Sequence, residues 1–569
     1  MTQSQCRLAL VPLVMCGVLV AALQPAARRQ PQAPAADLLI ANGRVYAGSG
    51  AFQQAVAIRG NQIVAVGRSA DLERLRGPQT EVIDAHGRAV VAGFNDSHVH
   101  FIDGGLALQD LDLSGVTTLR EVQARISAFA QRKPGATWVR GRGWLYAPFP
   151  GGLPVRQQLD EVVPDRPAIM ECYDGHSVWV NSKTLQLAGI TKDTPDPKNG
   201  VVVKDPKTGE PTGVLKEAAQ SLLDKVLPRP TDDDLRAALR AAVAEAHRLG
   251  VTSIQNANGN ARDLQLYADA KRAGDLRVRM YAALSISPGF SDADADRFDE
   301  LRSRYGTDDP VLRTGIVKIM SDGVIESRTA AMLAPYTNST SSGTANYSVE
   351  ELNRIIAQMD RRGWQIQVHA IGDRAVRMTL DAFERAAAAN PVPSRGRRHR
   401  LEHIETIDAA DIPRFGKLGL IASQQPMHVA LGDMNSTTPS GPWPDNVGRD
   451  RASRAWNWKS ILDGGGRVTF GSDWYVAPLD PLQGVWLVTT RRTPPGMRDQ
   501  KLSMQQAIDG YTSWAAYASF EEQRKGTLAP GMLADVVVLS RDIFAQPPST
   551  ATDVVVDATV FDGKVVYRR

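Results

Sequence analysis

Cysteine is almost missing from this 569-residue chain: three are present, Cys6, Cys16 and Cys172. The first two fall in an apolar N-terminal stretch, so a disulfide framework in the rest of the chain is excluded. A dominant charge sign is missing too. Basic residues exceed acidic ones by only four, and no long basic run is interleaved with aromatics, so nucleic acid is not an expected partner. The densest basic cluster, "RGRRHR" at 395–400, reads as a solvated loop. There is no P-loop, no dinucleotide-binding glycine fingerprint and no G-x-S-x-G elbow. Apolar runs long enough to span a membrane are absent beyond the N-terminus. At the N-terminus itself, "MTQSQCR" precedes "LALVPLVMCGVLVAALQPAA". A basic residue, an apolar stretch and then small residues make the order of a secretory leader. The expectation is a signal peptide over 1–22, a linker over 23–36, and an exported chain, periplasmic or secreted, with no stable membrane span after cleavage. Retention of the same segment as a membrane anchor is the alternative.

What is present is a change of texture along the chain. Residues 37–92 read as short strands with turns at Asn42-Gly43 and Gly60-Asn61. The stretch 525–569 has the same character, so the two ends predict one β-sandwich domain built from both. Between them, over 93–524, strands and helices alternate. Thr231 with Asp234 and Ser348 with Glu351 mark helix starts, and "VTSIQNA", "TGIVKIM", "WQIQVHA", "HRLEHIE" and "RVTFGSDW" read as strands. That alternation predicts an α/β fold, a closed (β/α)₈ TIM barrel. A Pro-, Gly- and aromatic-rich segment over about 135–230 breaks the rhythm and reads as an insertion after the first barrel strands.

Histidine is scarce, nine in all, so its placement carries information. "FNDSHVHF" sets His98 and His100 two apart on a strand, on one face. His369, His403 and Asp473 each fall at the end of a later strand. Strand ends of a barrel converge on one mouth, and imidazoles with a carboxylate there form a site for borderline divalent cations, zinc first. Lys318 sits among Ile316, Val317, Ile319 and Met320 in a strand that reads as buried on both faces. A buried ammonium needs a partner, loses its proton or is altered. His86, His247, His399 and His428 carry no site argument from local sequence, although His428 follows the "IASQQP" strand. Asp322, four residues after Lys318, reads as a supporting group.

The ordered set resembles the amidohydrolase superfamily, and more narrowly amidohydrolase family 3, the group with the N-substituted formamide deformylases. The resemblance rests on "GFNDSHVHF", "DGHSVWVNSKTLQLAGI", "VKIMSDGVIESRTA", "VHAIGDRAV", "LEHIE", "GSDW" and "GTLAPGMLADVVVL" in that order. It implies two divalent metal ions, with His98 and His100 on one, His369 and His403 on the other, Lys318 as a carbamate bridge, and Asp473 as both ligand and catalytic base. The reaction it implies is hydrolysis of a non-peptide amide, an N-substituted formamide or N-acyl amine, by a metal-bridging hydroxide. Chemistry on the same scaffold leaves a cyclic amidase, a deaminase or a carbamate hydrolase as alternatives. A Schiff-base enzyme using Lys318 and a non-catalytic exported ligand-binding protein are readings from other classes. Expected substrate contacts are His176 and Arg328, with Trp144 in an aromatic wall; the expected partner is a small-molecule amide, and the expected assembly a homodimer.

Overall fold

Eight parallel strands, buried on both faces, carry the architecture. In chain order they are β1 (Phe94–Val99), β2 (Val251–Asn256), β3 (Arg279–Ile286), β4 (Leu312–Met320), β5 (Gln365–Ala370), β6 (Arg400–His403), β7 (Ile421–Gln424) and β8 (Arg467–Phe470). Each pairs with the next in sequence order. The computed structural model describes residues 34–569 apart from 49, 437, 494 and 495. The expected signal peptide and nearly all of the expected linker lie outside the described residues. Among the described residues no helix is long and apolar enough to cross a membrane.

The barrel closes just beyond β8. Asp473 N–H donates to the His98 carbonyl at 2.8 Å, and His100 N–H donates to the Trp474 carbonyl at 2.7 Å. Helices cover the outside for the reasons legible in their sequences. Thr231 accepts from Asp234 N–H at 3.1 Å to start Asp232–Arg248, which buries Leu235, Leu239, Ala242, Val243 and Ala246. Ser348 likewise caps Val349–Arg361, with Leu352, Ile355, Ile356 and Met359 buried.

Both chain ends meet in the flanking sheets. One six-stranded sheet runs Lys564–Arg568, Val556–Phe561, Val536–Leu539, Ala89–Ala92, Arg44–Gly48, Ala51–Gln53, so C-terminal strands pair directly with N-terminal ones, Val536 opposite Ala92. A four-stranded sheet packs on it, and Leu38, Ile40, Val56 and Ile58 meet Val90, Val536, Val538 and Val560 in one core. Each such side chain contributes about 1.5–3 kcal/mol over exposure.

The insertion starts earlier than the rhythm of the sequence predicts. Its six-stranded sheet begins at Leu111–Asp112, and the helix Leu119–Arg132 packs Val122, Ile126 and Ala130 against Val139, Trp144 and Met170 of that sheet. That helix has ordinary amphipathic spacing, and periodicity does not say which sheet will receive its apolar face. The basic cluster at 395–400 also departs from expectation. Arg397 pairs with Asp360 at 2.7 Å and Arg398 with Glu522 at 2.7 Å, while Arg400 is fully buried 3.2 Å from Glu402. It is not a solvated loop, because carboxylates from other elements meet its guanidinium groups.

Arg279 on β3 ties barrel to flanking sheet. Its Nε and Nη2 lie 2.6 and 2.8 Å from the two oxygens of Asp535, and Nη2 also reaches Asp562 at 3.0 Å. Arg279 and Asp535 are both buried. Replacing Arg279 by Ala strands that carboxylate, and a loss of about 3–5 kcal/mol is expected. Equilibrium urea denaturation checks it, and a wild-type midpoint in Arg279→Ala would show that the pair does not join the two units.

Candidate metal centre

The end of β8 passes very close to β1, and glycine permits it. A Cβ on Gly471 would sit 2.5 Å from the His98 backbone nitrogen. Asp96, buried on β1, then accepts from His98 N–H and from Ser472 N–H, each at 3.0 Å. The next residue, Asp473, takes a positive φ of 58°, and His403 at the end of β6 takes 72°. Side chains other than glycine rarely adopt this backbone region, and where they do the surroundings enforce it, commonly at functional sites. Here the hydrogen bond from Asp473 N–H to the His98 carbonyl does so.

These turns aim the predicted residues at one another. His98 Nε2 and His100 Nε2 lie 3.2 and 3.0 Å from Asp473 Oδ1, and His403 Nδ1 lies 3.9 Å from Asp473 Oδ2. Lys318 Nζ is 3.4 Å from His98 Nε2. The rings of His369 and His403 are 4.5 Å apart. Ligand atoms of His98, His403 and Asp473 all fall within 4.8 Å of each other. His403 Nδ1 is buried without a hydrogen-bond partner. A buried imidazole lone pair with no donor, beside further imidazoles and a carboxylate, fits a bound cation.

Electrostatics give His369 and His403 the protonation state that ligands need. Burial, then the Lys318 charge, holds His369 well below the usual imidazole range; burial and the His369 neighbour do the same for His403. Both are neutral, which is the ligating form. Burial would push Asp473 up, but His98 and His100 outweigh it and keep the carboxyl well below its usual range. Burial lowers Lys318 to about 8 against the pull of Glu402 and Asp473.

Outer contacts fix the rings. His98 Nδ1 lies 2.6 Å from Glu402 Oε2. Burial would raise the Glu402 carboxyl, but Arg400 and His98 hold it down at about 2. His369 Nε2 is 3.2 Å from the Gly323 carbonyl. Asp322 accepts from the N–H groups of Ala331, Ile371 and Gly372 at 2.9, 3.1 and 2.9 Å, so it organises the loops beyond β4 and β5.

Sequence comparison now bears on this geometry. The sequence model of the amidohydrolase family matches residues 81–567. The chain belongs to the amidohydrolase family. It is thereby a hydrolase acting on carbon–nitrogen bonds, in a metal-dependent family whose substrates are small molecules. It is 32% identical to the protein LONG AFTER FAR-RED 3 of Arabidopsis thaliana, over 94% of this chain and 92% of the relative. It is 28% identical to N-substituted formamide deformylase of Arthrobacter pascens, over 94% of this chain and 98% of that one. An uncharacterized metal-dependent hydrolase from Pyrococcus furiosus aligns with a TM-score of 0.69 at 26% identity, covering 89% of this chain and 99% of that one.

In this amidohydrolase a cavity opens above the site, with His100, Lys318, His369, His403 and Asp473 among its lining residues. His176 lies on its wall, its Nδ1 2.9 Å from Glu217 Oε2. Burial alone would push His176 down; the Glu217 carboxylate outweighs it and raises the imidazole to about 9. Two expected contacts are placed elsewhere. Trp144 is fully buried, packs in the insertion's core and donates to the Met170 carbonyl at 2.8 Å, so it forms no wall of this cavity. Arg328 also does not line it; its Nε donates to Asn446 Oδ1 at 2.7 Å, where a sequence reading has it binding a substrate oxygen. Sequence reasoning missed Glu402 and Glu405, although both flank His403 in "LEHIE", and it set no role on His428. His428 lines the cavity, with Nε2 3.5 Å from Asp473 Oδ2 and Nδ1 3.2 Å from Glu405 Oε1.

Glu402→Gln removes the charge that orients His98. Metal affinity is expected to fall about 10–100-fold, the usual cost of losing such a partner. Titration of apo-protein with zinc against a competing chelator reads this directly; unchanged affinity would show that His98 needs no carboxylate behind it.

Proposed function

We propose that this amidohydrolase hydrolyses an exocyclic amide of a small molecule, an N-substituted formamide or N-acyl amine. The observation that carries the reading is the convergence of Lys318, the imidazoles of His98, His100, His369 and His403, and Asp473 beneath one cavity. No Ser or Cys lines that cavity among the described residues, so the side-chain nucleophiles common in acyl transfer are not at hand there. Similarity to N-substituted formamide deformylase of Arthrobacter pascens along nearly the full length supports the substrate class.

His98, His100, His369, His403 and Asp473 would hold two divalent ions, zinc by donor type. Lys318 would be carried as a carbamate. Its amine is lowered to about 8 by burial, so the neutral form is accessible near neutral pH. The ammonium first gives one proton to solvent; the neutral Nζ lone pair would then bond the carbon of carbon dioxide and a second proton would leave, so the cation would become a carbamate anion. The metals, when bound, supply Lewis acidity toward the substrate carbonyl and an acidified water. Asp473, kept ionised by His98 and His100, receives the water's proton on its carboxylate and delivers it to the leaving nitrogen. Glu402 keeps His98 aimed throughout. We also propose that residues 1–22 export the chain; N-terminal sequencing of the mature protein, starting close to residue 23, is the check.

Metal analysis joined to a hydrolysis screen over formamides and N-acyl amines tests the reading. Absence of turnover on every C–N substrate by fully metallated protein overturns it. Asp473→Asn is expected to keep most of the metal and lose about 10²-fold or more in kcat; a wild-type rate would remove Asp473 from the base role. Lys318→Ala is expected to be inactive and partly recovered by short-chain carboxylic acids. Full activity without additive would exclude the bridging role.

A further inference from the structure

The register of the insertion sheet sets one histidine beside one glutamate. Ser177 pairs with Lys216 across the antiparallel strands Ser177–Val180 and Pro211–Glu217, so His176 and Glu217 are neighbours at one end of that ladder. Two contacts join them. Glu217 N–H donates to the His176 carbonyl at 2.9 Å, and His176 Nδ1 lies 2.9 Å from Glu217 Oε2. The other carboxylate oxygen, Oε1, accepts from Ser327 Oγ–H at 2.9 Å and from Thr329 Oγ1–H at 2.8 Å, both in the loop after β4. Glu217 takes a positive φ of 49°. Residues other than glycine rarely adopt that backbone region, and surrounding contacts must enforce it where they do.

The clamp leaves one ring nitrogen spoken for and the other open. His176 lines the cavity above the candidate metal centre. Its Nε2 has no hydrogen-bond partner among the described residues and is not sealed from solvent, so it is the nitrogen that meets the cavity. The pair is ionic. Burial lowers the His176 imidazole, but Glu217 outweighs it and raises the ring to about 9. Burial likewise raises the Glu217 carboxyl, and the hydrogen bond from His176 outweighs it and brings the acid below its ordinary value. Asp174 on the same turn, Glu326 from the loop after β4 and His369 on β5 are the other titratable groups that sense His176. An imidazolium N–H is a stronger donor than a neutral one, and here it is fixed before any ligand arrives.

We propose that His176 is a catalytic residue whose Nε2–H donates to the substrate oxygen as that oxygen gains negative charge, and that Glu217 is the positioning residue that aims and charges the ring. The inference rests on the amide-hydrolase reading above and adds a donor supplied by the insertion. The proton stays on Nε2 throughout. His176 therefore makes and breaks no covalent bond, and the proton path through Asp473 is unchanged. A donor fixed in advance, meeting charge only as it develops, acts on kcat more than on KM.

The test uses full-length, zinc-replete enzyme with an N-alkylformamide. His176→Asn is expected to keep its zinc and lose about 10²–10³-fold in kcat, with KM within about threefold of wild type. Glu217→Gln keeps the shape and the Ser327 and Thr329 contacts but removes the charge, and kcat is expected to fall about tenfold or more. In the wild type the donor is present below about pH 9 and lost as pH rises through it. Without the Glu217 charge the alkaline limb of kcat/KM is expected to move to lower pH. Unchanged kcat in either variant, a loss that tracks loss of zinc, or an unmoved alkaline limb in Glu217→Gln overturns the proposal and leaves the hydrolase reading intact. Calorimetric binding of an N-alkyl phosphonamidate, a tetrahedral anion resembling the adduct, gives a readout without turnover. Both variants are expected to bind it about tenfold or more weakly than wild type. Equal affinity in all three proteins, or binding to none, overturns the inference. Weakened binding where no formamide is turned over upholds the donor while the formamide reading falls.

Discussion

Two backbone hydrogen bonds, Asp473 N–H to the His98 carbonyl and His100 N–H to the Trp474 carbonyl, are the seam on which the site depends. They join the last barrel strand to the first. A barrel left open there would place Asp473 and the His98–His100 pair on separate sheet edges. Asp96 reinforces the seam by taking N–H groups from both sides, and Gly471 allows the close approach. The ligand geometry is therefore largely a by-product of barrel closure, with His98 on the first strand and His100 and Asp473 just past strand ends.

The seam also explains how so much charge is tolerated in the interior. Lys318, Arg400, Glu402 and Asp473 are all buried within the barrel. Arg400 neutralises Glu402, Glu402 orients His98, and His98 touches both Asp473 and Lys318. The charges are linked through neighbours, from Arg400 by way of Glu402 and His98 to Asp473 and Lys318. An interior of this kind costs stability relative to an apolar one, and a cation at its upper end compensates the acceptors left over.

Much of this was legible in the sequence, and for identifiable reasons. His98 and His100 announce themselves because a strand has period two and histidine is rare here. Lys318 does so because it interrupts an apolar strand. The strand–helix alternation names the barrel, and the two terminal β stretches name the flanking sheets. Glu402 and His428 were not legible, because their roles depend on pairings between strands distant in sequence. Trp144 misled for the opposite reason: a large aromatic beside glycines looks like a pocket wall, and only packing shows that it is core. The basic run at 395–400 looked solvated because sequence does not show Asp360 and Glu522 waiting for it. Helix Leu119–Arg132 hid the start of the insertion because its apolar stripe fits either sheet.

The flanking sheet has a consequence for the order in which the molecule assembles. Ala89–Ala92 lies immediately before β1, yet one of its neighbours in the sheet is Val536–Leu539. Arg279 on β3 likewise finds its carboxylate only at Asp535. Synthesis delivers the first half of the barrel long before either partner exists. During that interval the growing chain carries an unpaired strand edge and an unmatched guanidinium, and contacts of such large sequence separation form late and slowly. The nascent protein thus pairs its earliest strands with one another, but the second edge of Ala89–Ala92 and the Arg279 guanidinium stay unmatched until the last strands emerge.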